Sequence, residues 1–483
     1  MSSAPRLLHF VGGNWRPSAG DRHVPDRNPS DREDVVALVP AGTADDVEAA
    51  VTSACDALAG WRGLTGPVRG ESLHRWAAAI AARDEELAQA MTREVGKPIT
   101  EARGEVTRCV AILRYYAGEA VREMGQVIPS QHPGALQFTL RQPLGVVAVI
   151  TPWNFPLAIP LWKTAPALAF GNTVVWKPAE TASRIATLLA EAGSAAGLPA
   201  GVFNVLLGSG AIIGDLLVSH EAVRAVSFTG SSAVGARVAA TAAARNVRFQ
   251  TEMGGKNVAI VLKDADLDLA ASLIAGGAMR FAGQKCTATS RAVVDGGVEE
   301  IFLKKLKAQV EALPLGPVTD PAAAVGPLIS EDARQSVLKA LEASPASRVC
   351  GGVAPSNPPF QRGYFLAPAV FAEVEAESGL AQEELFGPVL AVLRSRDLEQ
   401  AIELANRTRY GLSASLFTRD LRSALGYIQR IEAGLVRVNG DTTGVDPHAP
   451  FGGLKGSSSG SREQGPAARE FYTEIKTVQV SPG

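Results

Sequence analysis

The chain has 483 residues, of which 46% are hydrophobic and 20% charged, a balance typical of a globular protein that buries large cores. At roughly 150 residues per domain, the length predicts about three domains. The formal net charge is 47 − 49 = −2, and the basic residues are spread along the chain without a basic run. The sequence therefore gives no reason to expect nucleic acid or a membrane surface as a partner.

The cysteines and histidines indicate whether the protein binds a metal and which compartment it is in. The four cysteines form no Cys-x-x-Cys pair, and the six histidines form no His-Glu-x-x-His motif, so we predict no metal site. This cysteine usage favours a reducing compartment, and residues 1–11 have no apolar stretch of signal-peptide length. We therefore expect a cytoplasmic protein.

The segment Pro143–Trp162 has 20 residues without a charge, which is the length of a membrane span. It contains four prolines, which remove helix hydrogen-bond donors, and Asn154, which is costly to place in lipid. We interpret it as a buried strand followed by a loop.

From Gly145 onward, strand-like segments alternate with helix-like segments. The predicted strands are Gly145–Ile150, Thr173–Lys177, Val202–Leu207, Ala225–Gly230 and Val247–Met253. The predicted helices are Lys163–Phe170, Thr181–Ala196, Ala211–Ser219 and Ser231–Ala243. This alternation predicts a Rossmann-like, doubly wound α/β sheet, which binds ligands beyond the carboxyl ends of its strands. The segments that follow those ends are Thr151–Pro156, Lys177–Glu180, Gly208–Gly210 and Thr229–Ser232.

A second α/β pattern begins after Gly254-Gly255, the predicted connection between two domains. Its predicted elements are strand Asn257–Leu262, helix Leu267–Arg280, strand Pro388–Arg394, helix Leu398–Thr408 and strand Leu435–Asn439.

Two further segments, Ala135–Gln142 and Tyr472–Val480, alternate apolar and polar residues and have no obvious partner in either domain. We predict that they form a projecting β arm. Because open strand edges invite pairing, we expect these strands to pair across subunits in a homodimer or homotetramer.

Three residues point to nucleophilic chemistry, although each also has an ordinary structural explanation. Cys286 follows Gly283, which permits a close backbone approach, and adjoins Lys285, a cation that favours the thiolate. Glu252 ends a predicted strand and precedes two glycines, so we expect its carboxylate in a cleft, where burial raises the pKa of a general base. Asn154 lies between aromatic residues in a proline-bounded loop and can donate a hydrogen bond to an oxyanion. The ordinary alternatives are a small buried cysteine, a surface glutamate and a turn asparagine.

Short motifs run through the chain in a fixed order. They are PWNFP (152–156), WKPAE (176–180), FTGS (228–231), EMGGKN (252–257), GQKC (283–286), EELFGP (383–388), NRTRYGLSA (406–414) and PFGGLKGSSSGSREQG (450–465). Each motif alone is weak, but their order and spacing over nearly the whole chain resemble the aldehyde dehydrogenase superfamily. Within it, GQKCTATSR (283–291) and KGSSSGSREQG (455–465) resemble bacterial 2-oxoglutarate-semialdehyde (2,5-dioxopentanoate) dehydrogenases.

The resemblance implies the aldehyde dehydrogenase fold and roles for the residues that match family motifs. It implies Cys286 as nucleophile, Glu252 as general base, Asn154 as an oxyanion donor with the backbone N–H of Cys286, and a proton relay of Lys163 and Glu463. The cofactor, NAD or NADP, is then expected at Thr151, Trp153, Lys177, Glu180, Gly210, Gly230, Ser231, Glu384 and Phe386.

The resemblance also assigns the domains. We expect an NAD(P)-binding domain of residues 1–122 and 143–252, a catalytic domain of residues 253–452, and an oligomerisation arm of residues 123–142 and 466–483. Gly208-Ser209-Gly210 does not complete the usual dinucleotide fingerprint, because Gly214 follows one residue too late. The cofactor prediction therefore depends on the family resemblance and the fold.

The implied reaction is thiolate attack on an aldehyde, hydride transfer from the thiohemiacetal to the nicotinamide, and hydrolysis of the resulting thioester. Glu252 favours hydrolysis over acyl transfer to CoA, because CoA-acylating relatives lack a glutamate at this position. A catalytically silent binding protein on the same fold is disfavoured, since both Cys286 and Glu252 are present.

The aldehyde itself has two open interpretations. Family members that take short semialdehydes often carry arginine directly before the lysine matched by Lys163, whereas this chain has Trp162, which suits an apolar or aromatic aldehyde. Alternatively, Arg280 or Arg114 pairs with a distal carboxylate, as 2-oxoglutarate semialdehyde requires. For the cofactor, Glu180 would repel a 2′-phosphate, which favours NAD, with NADP kept as the alternative.

Overall fold

The computed structural model describes residues 4–481, which contain two large sheets covered by helices. The first sheet has eight strands in the spatial order Asn14–Arg16, His9–Val11, Phe203–Val205, Thr173–Lys177, Val146–Ile150, Val223–Thr229, Arg248–Glu252 and Ser458–Gly460. The five central strands are parallel, and numbered along the chain their order is 3-2-1-4-5. The order reverses between Val146–Ile150 and Val223–Thr229, which is where such sheets bind ligands.

The strand Val146–Ile150 shows why this sheet is buried. Val147 and Val149 enter the hydrophobic core on one face, and Val146 and Ala148 enter a separate core on the other. A strand covered by helices on both faces needs apolar residues at every position, which is the continuous apolar pattern seen in the sequence.

The second sheet has seven strands and its own core. Their spatial order is Ser347–Cys350, Ala369–Ala372, Val389–Ser395, Arg291–Asp295, Val258–Val261, Ser413–Phe417 and Leu435–Val438, and all neighbours except the first pair are parallel. Cys286 lies just before the amino end of Arg291–Asp295, whereas Thr151–Pro156 follows the carboxyl end of a strand in the first sheet. The predicted functional segments of the two sheets therefore come from opposite strand ends.

Three smaller sheets and the helices complete the fold. The small sheets are Thr473–Val480 with Leu136–Pro143 and Val127–Ile128, His23–Arg27 with Val35–Pro40, and Tyr410–Gly411 with Leu454–Lys455. The α-helices are Ala44–Gly63, Gly66–Ala81, Asp84–Val95, Ile99–Glu119, Ala158–Ala169, Ser183–Ala195, Asp215–Ser219, Ser232–Ala244, Leu267–Met279, Glu299–Glu311, Glu331–Glu342, Gly379–Gln382, Leu398–Asn406, Leu421–Arg430 and Ala467–Tyr472. Within residues 4–481, no helix combines the length and apolarity of a membrane span.

The five predicted strands of the first sheet are all present, and Thr173–Lys177 has its predicted bounds. The helix predicted at Lys163–Phe170 instead begins at Ala158, because Pro160 falls in the first turn, where a missing N–H costs little. The end of Pro143–Trp162 is therefore helical. The predicted helix Ala211–Ser219 is a π-helical turn, Gly210–Gly214, followed by a short α-helix.

Four strands of the second sheet were absent from the sequence interpretation: Arg291–Asp295, Ser347–Cys350, Ala369–Ala372 and Ser413–Phe417. Each has only four or five residues. Such short apolar segments have no periodicity that separates them from loops or helix ends, so tertiary packing decides their conformation.

The premise of the predicted arm, that its two strands lack a partner within the chain, is wrong, whereas pairing across subunits stays a prediction. Leu136–Pro143 pairs antiparallel with Thr473–Val480 of the same chain over its full length, so each has the partner that the sequence failed to indicate. The partner was missed because more than three hundred positions separate the strands along the chain. The resulting sheet still exposes Leu136, Leu140 and Ile475.

Candidate active site

Two cavities lie between the large sheets and share Cys286 in their walls. The first, which we call the strand-end cavity, has a volume of about 240 Å³ and lies where the strand order reverses. Its wall includes the loops around Asn154 and Ser231. The second, the arginine cavity, has a volume of about 50 Å³ and is lined by Arg108, Phe155, Trp162, Cys286, Thr287, Gly444, Val445 and Phe451.

A strained loop positions Cys286. Phe281 and Ala282 have φ of +55° and +52°, a left-handed region that costs residues with a side chain about 1–3 kcal/mol. A Cβ atom at Gly283 would lie 2.4 Å from the carbonyl oxygen of Gly387, so only glycine fits there. The predicted close backbone approach before Cys286 is therefore present.

The prediction that Lys285 activates the cysteine is wrong. The Nζ atom of Lys285 forms an ion pair with Glu101 at 2.9 Å and is thereby neutralised. Burial and the nearby carboxylates of Glu384 and Glu252 raise the pKa of the Cys286 thiol to about 12. The side chain is consequently a thiol at neutral pH and requires a base before it can attack.

Asn154 is buried beside Cys286 in the wall of the strand-end cavity. Its Nδ2 donates to the carbonyl oxygen of Gln284 at 3.0 Å, and its Oδ1 accepts from the N–H of Phe155 at 3.1 Å. The first bond ties the proline-bounded loop to the cysteine loop. Because Nδ2 has two hydrogens, one stays available to an oxyanion.

A buried ion pair supports that loop from behind. Glu105 accepts from the backbone N–H groups of Leu157 and Ala158 at 3.0 and 2.9 Å, at the start of the helix Ala158–Ala169. Lys97 forms an ion pair with Glu105, and its Nζ lies 3.9 Å from the centre of the Phe155 ring. The carboxylate thus satisfies helix N–H groups, and the lysine neutralises it.

Glu252 ends its strand as predicted and is only 2% exposed. Burial and the nearby Glu463 raise the pKa of its carboxyl group well above the usual value, whereas a hydrogen bond from the Ser458 hydroxyl to Oε2, at 2.6 Å, opposes that rise. Oε1 has no hydrogen-bond partner among the described residues. The carboxyl group packs against Gly452 and Ser458 and is not part of either cavity wall.

Lys163 and Glu463 are brought together as an ion pair that is fully buried. Lys163 also contacts the hydroxyl of Ser227 at 3.1 Å, and Trp162 donates through its ring N–H to Glu463 at 2.9 Å. Trp162 therefore has two contacts: its ring lines the arginine cavity, and its N–H fixes a carboxylate close to Glu252.

The strand-end cavity also brings together Trp153, Gly230, Ser231, Glu384 and Phe386. Burial raises the pKa of Glu384 to about 7, and the N–H of Gly255 donates to its Oε1 at 3.0 Å. A Cβ atom at Gly254 would lie 1.8 Å from Oε2, so the glycine pair makes room for this carboxyl group. The rings of Trp153 and Phe386 meet edge to face at 5.8 Å.

Four other predicted cofactor residues lie at neighbouring strand ends, outside the wall of this cavity. Lys177 is buried, which lowers its pKa to about 8, while Glu180 opposes that shift. A Cβ atom at Gly210 would lie 3.5 Å from the Lys177 Nζ, so the two meet. The hydroxyl of Thr151 accepts a hydrogen bond from the ring N–H of Trp176 at 2.8 Å.

The structure does not bring the predicted Arg280 and Arg114 to the site. Both are exposed, and neither lines the arginine cavity. Arg114 lies on the same helix as Arg108, but six residues later and on a different face, and it is Arg108 that enters the cavity. The buried positions Ala102, Glu105, Cys109 and Ile112 mark the inner face of the helix, and this periodicity could have identified Arg108.

Among residues 4–481, no group of three or more His, Cys, Asp or Glu side chains is arranged to hold a metal ion.

The model of the aldehyde dehydrogenase family matches residues 15–478 of the chain. A Bacillus subtilis protein named alpha-ketoglutaric semialdehyde dehydrogenase is 48% identical over 479 residues, which is 98% of each chain. A Haloferax volcanii protein named alpha-ketoglutarate semialdehyde dehydrogenase is 42% identical over 98% of each chain.

Solved structures give the same result. An NAD-dependent aldehyde dehydrogenase from Sinorhizobium meliloti superposes with a TM-score of 0.96 at 37% identity, over 99% of this chain and 95% of that one. An NADP-dependent enzyme from Escherichia coli superposes with a TM-score of 0.95 at 35% identity, over 99% and 98%.

These likenesses define an NAD(P)-dependent oxidoreductase with the α/β fold that the sequence predicts. The chain belongs to the aldehyde dehydrogenase family, and it catalyses the NAD(P)-dependent oxidation of an aldehyde to a carboxylic acid.

Proposed function

We propose that the protein oxidises 2-oxoglutarate semialdehyde to 2-oxoglutarate, with Cys286 as the nucleophile. The observation that carries the proposal is the position of Cys286 between a cavity at the strand ends and a second cavity that contains a cation, Arg108. An aldehyde whose other end is a carboxylate fits this pair of cavities. The names of the B. subtilis and H. volcanii relatives support the same substrate.

The strand-end cavity fits the nicotinamide end of the cofactor. The helix Ser232–Ala244 begins beside it with no side chain bonded to its first N–H groups, a feature that suits a pyrophosphate. Glu384 offers a carboxyl oxygen for a ribose hydroxyl, and Trp153 and Phe386 provide flat apolar walls. The bound cofactor supplies the hydride acceptor.

Lys177 and Glu180 are the proposed contacts of the adenosine ribose, and Gly210 lies beside the lysine. A carboxylate at Glu180 would repel a 2′-phosphate, so NAD is the proposed preference. Thr151 contributes by orienting Trp176, since their hydrogen bond uses the threonine hydroxyl.

Cys286 must give up its proton to solvent before its thiolate attacks the aldehyde carbon, because its raised pKa keeps the side chain a thiol. The negative charge that develops on the aldehyde oxygen is stabilised by Asn154 Nδ2 and the Cys286 N–H. Loss of hydride then leaves a thioester, and hydrolysis of the thioester releases the acid.

Glu252 is the proposed base for the hydrolytic water. Its unpartnered Oε1 can accept a proton, and a rotation of the side chain is required to bring the carboxylate to the thioester. Glu463, paired with Lys163, is close enough to raise the pKa of Glu252, and this pair is the proposed relay for the proton.

We also propose a homodimer or homotetramer in the cytosol, with the domain boundaries given above. Three apolar side chains on one face of the helix Leu421–Arg430, namely Leu421, Leu425 and Ile428, are about half exposed or more, as are Leu136 and Ile475 on the arm. The four cysteines of the described chain are unpaired, in keeping with a reducing compartment.

An apolar or aromatic aldehyde is the second candidate substrate, favoured by Phe155, Trp162 and Phe451 in the arginine cavity. A panel of aldehydes with both cofactors decides between the two. We expect kcat/KM to be highest for 2-oxoglutarate semialdehyde with NAD. A higher value for benzaldehyde or hexanal would contradict the proposed substrate.

A further inference from the structure

Arg108 is an unusual residue in the wall of a cavity that is otherwise lined by three aromatic residues, a threonine, a glycine, a valine and the nucleophile. The helix Ile99–Glu119 carries it toward the cavity at the edge of the buried face. Its guanidinium lies 5.8 Å from the centre of the Trp162 ring. This stacking orients a flat, positively charged group beside the cavity that contains Cys286.

Two other cations near this wall are neutralised by the protein itself. Lys97 is paired with Glu105, and Lys285 is paired with Glu101. Arg108 has no carboxylate within ion-pair distance in the part of the chain that the structure describes. Asp446 is the carboxylate outside the Lys97 pair that acts on it electrostatically, and that side chain is 78% exposed to solvent.

The hydrogen bonds of Arg108 are also incomplete. Its Nη2 donates to the carbonyl oxygen of Val445, which anchors the loop on the far side of the cavity. Its Nε is buried and lacks a partner among the described residues. Arg108 is half-buried, and a guanidinium that loses part of its hydration without an anion and with a buried, unused donor is one that a bound carboxylate would stabilise.

We infer that Arg108 is the specificity-determining residue of the aldehyde site, and that its guanidinium binds the distal carboxylate of a linear aldehyde acid whose other end reacts at Cys286. This inference rests on the proposed function, because it presumes an aldehyde that carries a carboxylate. Phe155, Trp162 and Phe451 then surround the carbon chain between the two ends. The role predicted from sequence for Arg280 or Arg114 passes to Arg108.

The test compares 2,5-dioxopentanoate and 5-oxopentanoate with pentanal, an aldehyde of the same length without a carboxylate. For Arg108→Met, which keeps length and packing on Trp162, we expect kcat/KM for both acids to fall about 10- to 150-fold, the range for a lost charge-assisted hydrogen bond, and kcat/KM for pentanal to change little. Arg108→Lys should recover part of the loss, since lysine keeps the charge but not the fork of donors. Glutarate, used as a competitive inhibitor, should lose affinity for Arg108→Met in parallel.

Arg114→Met on the same helix is the matched control, and we expect it to match the wild type with every substrate. An equal loss on the acids and on pentanal for Arg108→Met would overturn the inference and leave Arg108 as an anchor for Val445. Should Arg108→Met fail to fold, the wild-type preference for 5-oxopentanoate over pentanal, and its partial reduction in Arg108→Lys, decide the matter. If the wild type prefers another aldehyde acid and Arg108→Met removes that preference, the proposed substrate fails while the inference stands.

Discussion

The two cavities that meet at Cys286 are built in different ways. The strand-end cavity is formed by loops that directly follow parallel strands, such as Pro152–Asn154 and Thr229–Ser231, and by glycines that bring backbone close to Glu384. The arginine cavity is formed by side chains from two helices, Arg108 and Trp162, and by a loop around Val445.

This difference predicts which features of the site are common to proteins with this fold and which are particular to this chain. Backbone geometry at strand ends depends on the fold, so the proposed cofactor side should be similar in other chains with this fold. Side chains on helix faces change without altering the fold, so the aldehyde side can vary while the cofactor side stays. Substitutions at Cys286, in the strand-end cavity and in the arginine cavity should therefore have effects that can be distinguished.

The largest loss of activity should follow from substitution of Cys286, which lines both cavities. Cys286→Ala should abolish aldehyde oxidation, because no thiohemiacetal can form, while cofactor binding measured by calorimetry stays close to the wild-type value. Cys350→Ala, a change outside both cavity walls, is the control and should keep full activity. Turnover by Cys286→Ala at the wild-type rate would refute the assignment of Cys286 as the nucleophile.

Glu252→Gln should separate the two chemical steps. Loss of a general base costs about 100- to 10,000-fold, and we expect that loss in thioester hydrolysis. Stopped-flow absorbance of the reduced nicotinamide should then show a burst of about one equivalent per site, followed by slow turnover, with an acyl adduct on Cys286 visible by mass spectrometry. A slow burst without an adduct would mean that Glu252 deprotonates the thiol, and normal turnover would remove it from the mechanism.

Asn154→Ala should act mainly on formation of the thiohemiacetal oxyanion, the step that precedes hydride transfer. Removing one oxyanion donor costs about 100- to 1,000-fold in kcat. The substitution also breaks the bond to the Gln284 carbonyl, so thermal unfolding must be measured beside activity to separate catalysis from loop order. Unchanged kcat in a stable variant would show that Asn154 only joins the two loops.

The same contrast explains which parts of the molecule the sequence could predict. The strand-end residues Asn154, Ser231 and Glu252 lie in continuous motifs at strand ends, so periodicity and resemblance located them. Arg108 and Val445 come together only when a helix from the first part of the chain packs against a loop more than three hundred positions later. The neutralisation of Lys285 by Glu101 was hidden for the same reason, because adjacency to Cys286 says nothing about where the lysine Nζ points.

The smallest effect should come from Ser458, which lines neither cavity and donates its hydroxyl hydrogen to Glu252. Its hydroxyl donates to Glu252 Oε2 at 2.6 Å and so holds the pKa of that carboxyl group below the value that burial and Glu463 would otherwise set. Glu252 must be ionised to act as a base, so hydrolysis should speed up as pH rises through its raised pKa. Ser458→Ala removes the bond, raises that pKa further and moves the rising limb of the pH–rate profile to higher pH by about one unit, since a hydrogen bond to a charged group contributes roughly 1.5 kcal/mol or more. The variant should therefore be about tenfold slower than the wild type on the acid side of the limb and equal to it on the plateau.

The neighbouring Ser459, whose hydroxyl contacts Thr251 at 2.5 Å, provides the control, because Ser459→Ala leaves the bond to Glu252 in place and should leave the profile where it was. An equal loss at every pH in Ser458→Ala would show that this serine orders the loop through its bond from the Gly453 N–H and does not adjust the base.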